Sequence, residues 1–257
     1  MKRGKFYGVG VGPGDPQLLT YKAIKAIEEC EILAIPVSDQ SLSMPLLKSQ
    51  CSEELRERYQ KQCAAYQILE AATEIAEIPL KMVDAKEKLY LPMPMLKDKE
   101  KLKEIHDQCA RKTAAQLQAG KNVAFITLGD PGIYSTCLYI HKRITRLGFE
   151  TVLIPGVPSF CAAAAKLNVG LVENRQELHI IPASYETEDS LFYPGTKVLM
   201  KAGTKMPYIK KLIAENGWKV RMIENCGMQG EMCYDTLEDI PDEASYYSLL
   251  LIKEEKE

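Results

Sequence analysis

No two cysteines in this chain are spaced C-x-x-C, and histidine is scarce, with only His106, His141 and His179 in 257 residues. Structural zinc draws on Cys and His clustered at fixed spacing, so a metal held by the protein itself is not expected. The eight cysteines (Cys30, Cys51, Cys63, Cys109, Cys137, Cys161, Cys226 and Cys233) lie far apart. Met1-Lys2-Arg3 leads directly into an apolar strand, with no signal-peptide core, so a disulfide framework is not expected either. No apolar run approaches the roughly 20 residues that a membrane helix needs. Charge of one sign is also missing: 33 Lys plus Arg against 35 Asp plus Glu leave a net charge of -2. A nucleic-acid partner favours a basic surplus, which this chain lacks. The expectation is a reduced, cytoplasmic protein, long enough to bury a core as one large domain or two ordinary ones.

A dinucleotide fingerprint is absent as well, although the chain opens as if to form one. Phe6-Tyr7-Gly8-Val9-Gly10-Val11-Gly12-Pro13-Gly14-Asp15-Pro16 runs from a short apolar strand into a glycine-rich turn. The G-x-G-x-x-G motif needs glycine in its sixth place. Counted from Gly8 that place is Pro13, and counted from Gly10 it is Asp15. No Gly-Lys-Ser/Thr follows, so a P-loop is excluded too. Asp15 can cap the next helix, and Pro16 suits its first position.

What is present is an alternation of strands and helices. The pattern predicts a strand near Lys5–Val11, a helix over about Pro16–Cys30 and a strand over Glu31–Val37, a β-α-β unit that implies parallel strands. Ser38 to Glu87 is more polar and holds one or two helices, with a charged helical segment at Ser52–Gln62. A long helix follows from about Asp98 to Ala119, with Leu102, Ile105, Cys109 and Leu117 on one face and Gly120 as its stop. A strand at Val123–Leu128, a helix ending at Gly148 and a strand at Thr151–Ile154 complete the first half. The second half has an Ala-rich helix (Ser159–Lys166), strands at Leu178–Ile181, Lys197–Met200, Val220–Ile223 and Tyr246–Ile252, and a helix at Pro207–Asn216 ended by Gly217. The fold class is α/β in two domains: residues 1–155 doubly wound, residues 156–257 a mixed sheet with helices. Open α/β sheets take ligands at the carboxyl ends of their strands. Three glycine- and proline-bearing loops fall there, at Gly10–Pro16, Gly129–Thr136 and Pro155–Phe160.

These residues resemble the tetrapyrrole methylases. The match rests on Gly8 to Pro16 with Leu18-Leu19-Thr20, Leu128-Gly129-Asp130-Pro131 with Tyr134-Ser135-Thr136, and Pro155-Gly156-Val157-Pro158-Ser159-Phe160. Within the family, Pro92-Met93 with Asp98-Lys99-Glu100, Val198-Leu199-Met200-Lys201 and Tyr247-Ser248-Leu249-Leu250 resemble the precorrin-2 C(20)-methyltransferase branch. Ser38 to about Ala64 departs from the branch pattern, and no site residue is carried over there. The resemblance implies two α/β domains with S-adenosylmethionine folded into the cleft between them. It also implies C-methylation of a reduced, anionic tetrapyrrole (precorrin-2 or, by preference, cobalt-precorrin-2) in cobalamin biosynthesis, and a homodimer.

Residue by residue, the resemblance implies cofactor contacts from Gly129, Asp130, Ile133, Ser159, Phe160, Pro182, Ala183, Met200, Cys226 and Gly227. It places Gly10, Gly12, Pro13, Gly14 and Asp15 in the substrate trough, where missing side chains would let a flat macrocycle approach the backbone. Read without it, Asp130 and Asp15 are helix caps, Phe160 and Met200 are core, and Lys97, Lys99, Lys101 and Lys103 are a solvated helix face. No base for the departing meso proton is named by the residues; Asp15 and Tyr134 are the candidates considered. The rival readings are a sister methylase acting on another position or on uroporphyrinogen III, a nicotinamide-dependent oxidoreductase, and a non-catalytic tetrapyrrole-binding module.

Overall fold

The structure, a computed structural model, describes residues 2–75, 83–183 and 189–254. The chain divides into two compact units, Met1–Pro158 and Ser159–Glu257.

The first unit is built on six strands: β1 (Phe6–Gly10), β2 (Ile32–Val37), β3 (Leu46–Leu47), β4 (Glu87–Pro92), β5 (Val123–Thr127) and β6 (Thr151–Ile154). Their order is β3-β4-β2-β5-β1-β6, and every neighbouring pair is parallel except β3 with β4. Central strands that carry helices on both faces read as continuous apolar runs, and Ile32 to Ile35 are fully buried. One face is covered by α1 (Tyr21–Glu28), α2 (Glu53–Gln62) and α3 (Ala64–Ile75), which pack Ala23, Ile27, Tyr59 and Leu69 against Val9, Leu33 and Ile35. The other is covered by α4 (Lys99–Gln118) and α5 (Cys137–Arg146), which pack Cys109, Leu117, Ile140 and Ile144 against Phe6, Ala34, Leu89 and Phe125.

Two expectations change here. The helix predicted over Pro16–Cys30 is broken: Pro16–Leu18 form a single 3-10 turn, and α1 starts afresh at Tyr21. Thr20 causes the restart, because its hydroxyl accepts the Ala23 N–H at 3.1 Å and caps the new helix. Strand β4 was not expected from the sequence at all. Its Leu89-Tyr90-Leu91 core is short and flanked by charge, yet all three residues are fully buried. Residues 76–82 of the polar stretch lie outside the described residues.

The second unit opens with α6 (Ser159–Lys166), followed by β7 (Leu178–Pro182), β8 (Thr196–Met200), α7 (Met206–Asn216), β9 (Lys219–Glu224), β10 (Met232–Tyr234) and β11 (Ser248–Lys253). The sheet order is β10-β9-β11-β8-β7. Strands β7 and β8 pair in parallel, while β11 runs antiparallel to both β8 and β9. Hence β7, β8 and β9 all point the same way. Helix α7 buries Met206, Ile209 and Ile213 against Leu199, Met222, Leu250 and Ile252, and Gly217 closes it with φ of 64°.

Candidate functional site

In the first unit, β5, β1 and β6 end side by side, and their three loops interlock through backbone atoms. Beyond the strand ends, Gly12 donates to the Gly129 oxygen at 3.3 Å and Gly129 donates to the Gly12 oxygen at 2.7 Å. A Cβ on Gly10 would stand 2.5 Å from the Gly129 oxygen and 2.7 Å from the Gly156 nitrogen, and one on Gly156 would meet the Gly129 oxygen closer still. These two positions need glycine because three main chains meet there. Gly12, Pro13 and Gly14 are buried. At Gly10, close main-chain packing by itself requires the missing side chain.

Asp130 ties the same loops together. Its Oδ1 accepts the Gly132 N–H at 2.7 Å, and its Oδ2 accepts the Gly156 N–H at 3.1 Å. The helix-cap reading of Asp130 is thus corrected, since α5 begins only at Cys137, whose N–H reaches Ser135 Oγ at 3.1 Å. Ser135 Oγ also pairs with Thr127 Oγ1 at 2.8 Å, a link between β5 and its loop that no sequence pattern signalled. Asp15 does act as a cap, accepting the Gln17 N–H at 2.9 Å. Ile133 is half-buried, while Tyr134 is exposed and left-handed, with φ of 48°.

In the second unit, Ser159 and Phe160 open α6, with Phe160 buried. Pro182, Met200 and Glu224 are the last residues of three strands that point the same way, so Ala183, Met200 and the Asn225-Cys226-Gly227 turn fall along one sheet edge. Ala183 donates to the Met200 oxygen at 2.9 Å. Two non-glycine residues at this edge are left-handed, Lys201 (φ 62°) and Asn225 (φ 51°), a conformation found at ligand sites. The turn is braced from below: Glu224 accepts from the Tyr234 hydroxyl at 2.9 Å and from the Ser245 N–H at 2.5 Å, and the Glu231 carboxylate accepts the Gly227 N–H at 2.6 Å. Ser248, opposite Glu224 at the start of β11, buries its hydroxyl with no hydrogen-bond partner among the described residues. A strand-end edge with an orphaned buried hydroxyl and strained backbone fits a ligand rich in hydrogen-bonding groups, as S-adenosylmethionine is.

All eight cysteines are free thiols. Burial pushes Cys30, Cys109 and Cys137 up to about 12 and Cys63 up to about 11, so none of these four is a nucleophile at neutral pH. Among the described residues no group of three or more His, Cys, Asp or Glu is placed to hold a metal ion, and no helix is long and apolar enough to cross a membrane.

The pattern of the tetrapyrrole (corrin/porphyrin) methylases matches residues 5–241. The chain belongs to the tetrapyrrole methylase family. Among curated members, it is 30% identical to a probable cobalt-precorrin-2 C(20)-methyltransferase of Methanocaldococcus jannaschii, over 97% of this chain and 96% of that one. It is 28% identical to a precorrin-2 C(20)-methyltransferase of a Sinorhizobium species, over 97% and 95%. A solved uroporphyrin-III C-methyltransferase of Thermus thermophilus, complexed with S-adenyl homocysteine, shares the fold, with a TM-score of 0.63, 19% identity and 98% of each chain covered. The two α/β units described above are the tetrapyrrole methylase fold in this chain.

Proposed function

We propose that this tetrapyrrole methylase transfers a methyl group from S-adenosylmethionine to C(20) of precorrin-2, as a step of cobalamin biosynthesis. The observation that carries the reading is the near end-to-end match to enzymes named for that reaction. Both the cobalt-bound and the metal-free substrate occur among those names. We favour the cobalt form, in which cobalt enters and leaves as part of the substrate.

Bound S-adenosylmethionine supplies an electrophilic methyl on a sulfonium whose departing thioether is neutral. The meso carbon of a reduced tetrapyrrole is enamine-like and nucleophilic, so the protein's work is alignment, worth several kcal/mol, and exclusion of water. In the first unit, Gly129, Asp130 and Ile133 would contact the cofactor from a loop held rigid by the Asp130 ties to Gly132 and Gly156. In the second unit, Ser159, Phe160, Pro182, Ala183, Met200, Cys226 and Gly227 would do so, Met200 through its backbone. The Gly10–Asp15 turn would face substrate through its exposed margin at Asp15. Neither Asp15 nor Tyr134 is singled out by the geometry as the group that takes the meso proton.

A homodimer belongs to this reading. Strand β11 lies between β8 and β9 and is buried, so the apolar terminal segment fills the sheet interior rather than a subunit surface. Light scattering tests the assembly: a particle of two chains agrees with the proposal and a single chain contradicts it. Calorimetric titration with S-adenosylhomocysteine tests the cofactor. Saturable one-to-one binding is expected, and no binding would remove the reading.

A further inference from the structure

The proposed substrate carries many carboxylates, yet the first unit offers almost no positive charge where its strands end. Five parallel strands finish at that edge, and the segments that follow them are 11–20, 38–45, 93–98, 128–136 and 155–158. Only one basic residue, Lys97, lies in all five. The cation needed to receive an anion there must come from another element.

Arg58 on α2 meets that need. Its Nε lies 2.7 Å from Oδ2 of Asp39, two residues past the end of β2, and the Asp39 side chain is only 6% exposed. The approach lacks hydrogen-bond alignment, so charge holds the pair. Asp39 is itself fixed: its Oδ1 accepts the Ser41 N–H at 2.8 Å. That bond, the Ser41 hydroxyl and the Arg58 guanidinium keep the carboxyl below the usual carboxylate range. Helix α2 is held in turn by Tyr59, which is buried against Tyr90 with ring centroids 5.5 Å apart, and by the Gln60 amide on the Tyr90 hydroxyl at 3.0 Å. Arg58 is half exposed, and among the described residues its terminal nitrogens make no other hydrogen bond or ion pair.

The strands beside it stop pairing before their carboxyl ends. Pairing of β2 with β5 stops at Ala34 opposite Phe125, although β2 runs on to Val37 and β5 to Thr127. The chain leaves β2 for the face covered by α2 and α3, and leaves β5 for the face covered by α5. Neighbouring strands whose connections leave for opposite faces mark a topological switch point, and α/β sheets take ligands at its carboxyl edge. Arg58, through Asp39, stands at the end of β2 at that switch point, and the Gly129–Asp130 loop follows β5.

We propose that Arg58, oriented by Asp39, binds a peripheral carboxylate of the tetrapyrrole substrate. A guanidinium tethered through Nε presents its Nη pair as a planar fork, the geometry that matches a carboxylate. The inference rests on the methyltransferase reading above and assigns α2, in the stretch that departs from the family pattern, a part in substrate choice.

Steady-state methyl transfer with S-adenosylmethionine and cobalt-precorrin-2 tests it, beginning with the unaltered protein. If that protein transfers no methyl group, the underlying reading fails whatever Arg58 does. If it is active, Arg58→Gln is expected to raise KM for the tetrapyrrole roughly tenfold or more, the effect of one lost charge-assisted hydrogen bond. Affinity for S-adenosylhomocysteine should stay within about twofold, which a general loss of structure would not allow. Asp39→Asn should raise the same KM by a smaller factor. Should Arg58→Gln fail to fold, Arg58→Lys keeps the ion pair and removes only the fork, and a several-fold rise in KM is expected. An active enzyme whose tetrapyrrole KM is unchanged in the folded Arg58 variants overturns the inference.

Discussion

Asp130 shows how a local pattern can miss what a side chain holds. In sequence, Gly129-Asp130-Pro131 reads as a helix start; in the fold the same carboxylate spans two loops, holding the N–H groups of Gly132 and Gly156. The long-range half of that arrangement joins residues 26 apart, a distance no local pattern encodes. Asp130→Ala should lower the unfolding free energy by about 1–2 kcal/mol, because two backbone N–H groups lose a carboxylate acceptor, and should weaken S-adenosylhomocysteine binding through the loosened loop. Urea unfolding alongside calorimetry checks both; unchanged stability would contradict the tie. Gly156→Ala should also destabilise, by about 1–3 kcal/mol or more, since its Cβ is driven into the Gly129 carbonyl. The glycines were legible as special, but the partner that makes them so is another main chain.

At the scale of elements, strong local signals located most helices and strands. Asp98 caps α4 through the Lys101 N–H at 3.0 Å, and Ser52 opens α2. The misses have tertiary causes. Pro16 suggested the start of one long helix, but the Thr20 hydroxyl caps a second start and also donates to the Pro155 oxygen at 3.4 Å. Thr20→Ala should cost about 1 kcal/mol, read by chemical denaturation, and no change would mean the restart is set by packing alone. Strand β4 was hidden because its identity comes from pairing with β2 along six residues rather than from any alternation of its own. The Asp39–Arg58 pair was equally invisible, since an ion pair between a strand end and a later helix leaves no mark on spacing.

Across the whole molecule, the burial of thiols gives a stability signature. Four cysteines have folded pKa values near 11 or 12 against an ordinary value of 9.0. Below about pH 9 these thiols are neutral in both states and contribute fully. As pH rises from 9 toward 12, the unfolded thiols ionise while the folded ones do not, so stability should fall. Urea midpoints measured from pH 8 to 11 check the sign, and a midpoint that rises would contradict it. Thiol titration at pH 8 should find the exposed Cys161 and Cys233 reactive in the native protein, with all eight reacting after denaturation.

The central claim is the position of methylation, for the match to C(20) enzymes is what sets this chain apart from its sister methylases. The most direct measurement is product analysis by mass spectrometry and carbon NMR after incubation with methyl-labelled S-adenosylmethionine and cobalt-precorrin-2, with precorrin-2 and uroporphyrinogen III in parallel. The account predicts one labelled methyl at the C(20) meso carbon, formed fastest on the cobalt substrate and not on uroporphyrinogen III. Faster transfer to metal-free precorrin-2 would revise the substrate alone. A labelled methyl at any other ring position, or transfer to uroporphyrinogen III in preference, would contradict the account.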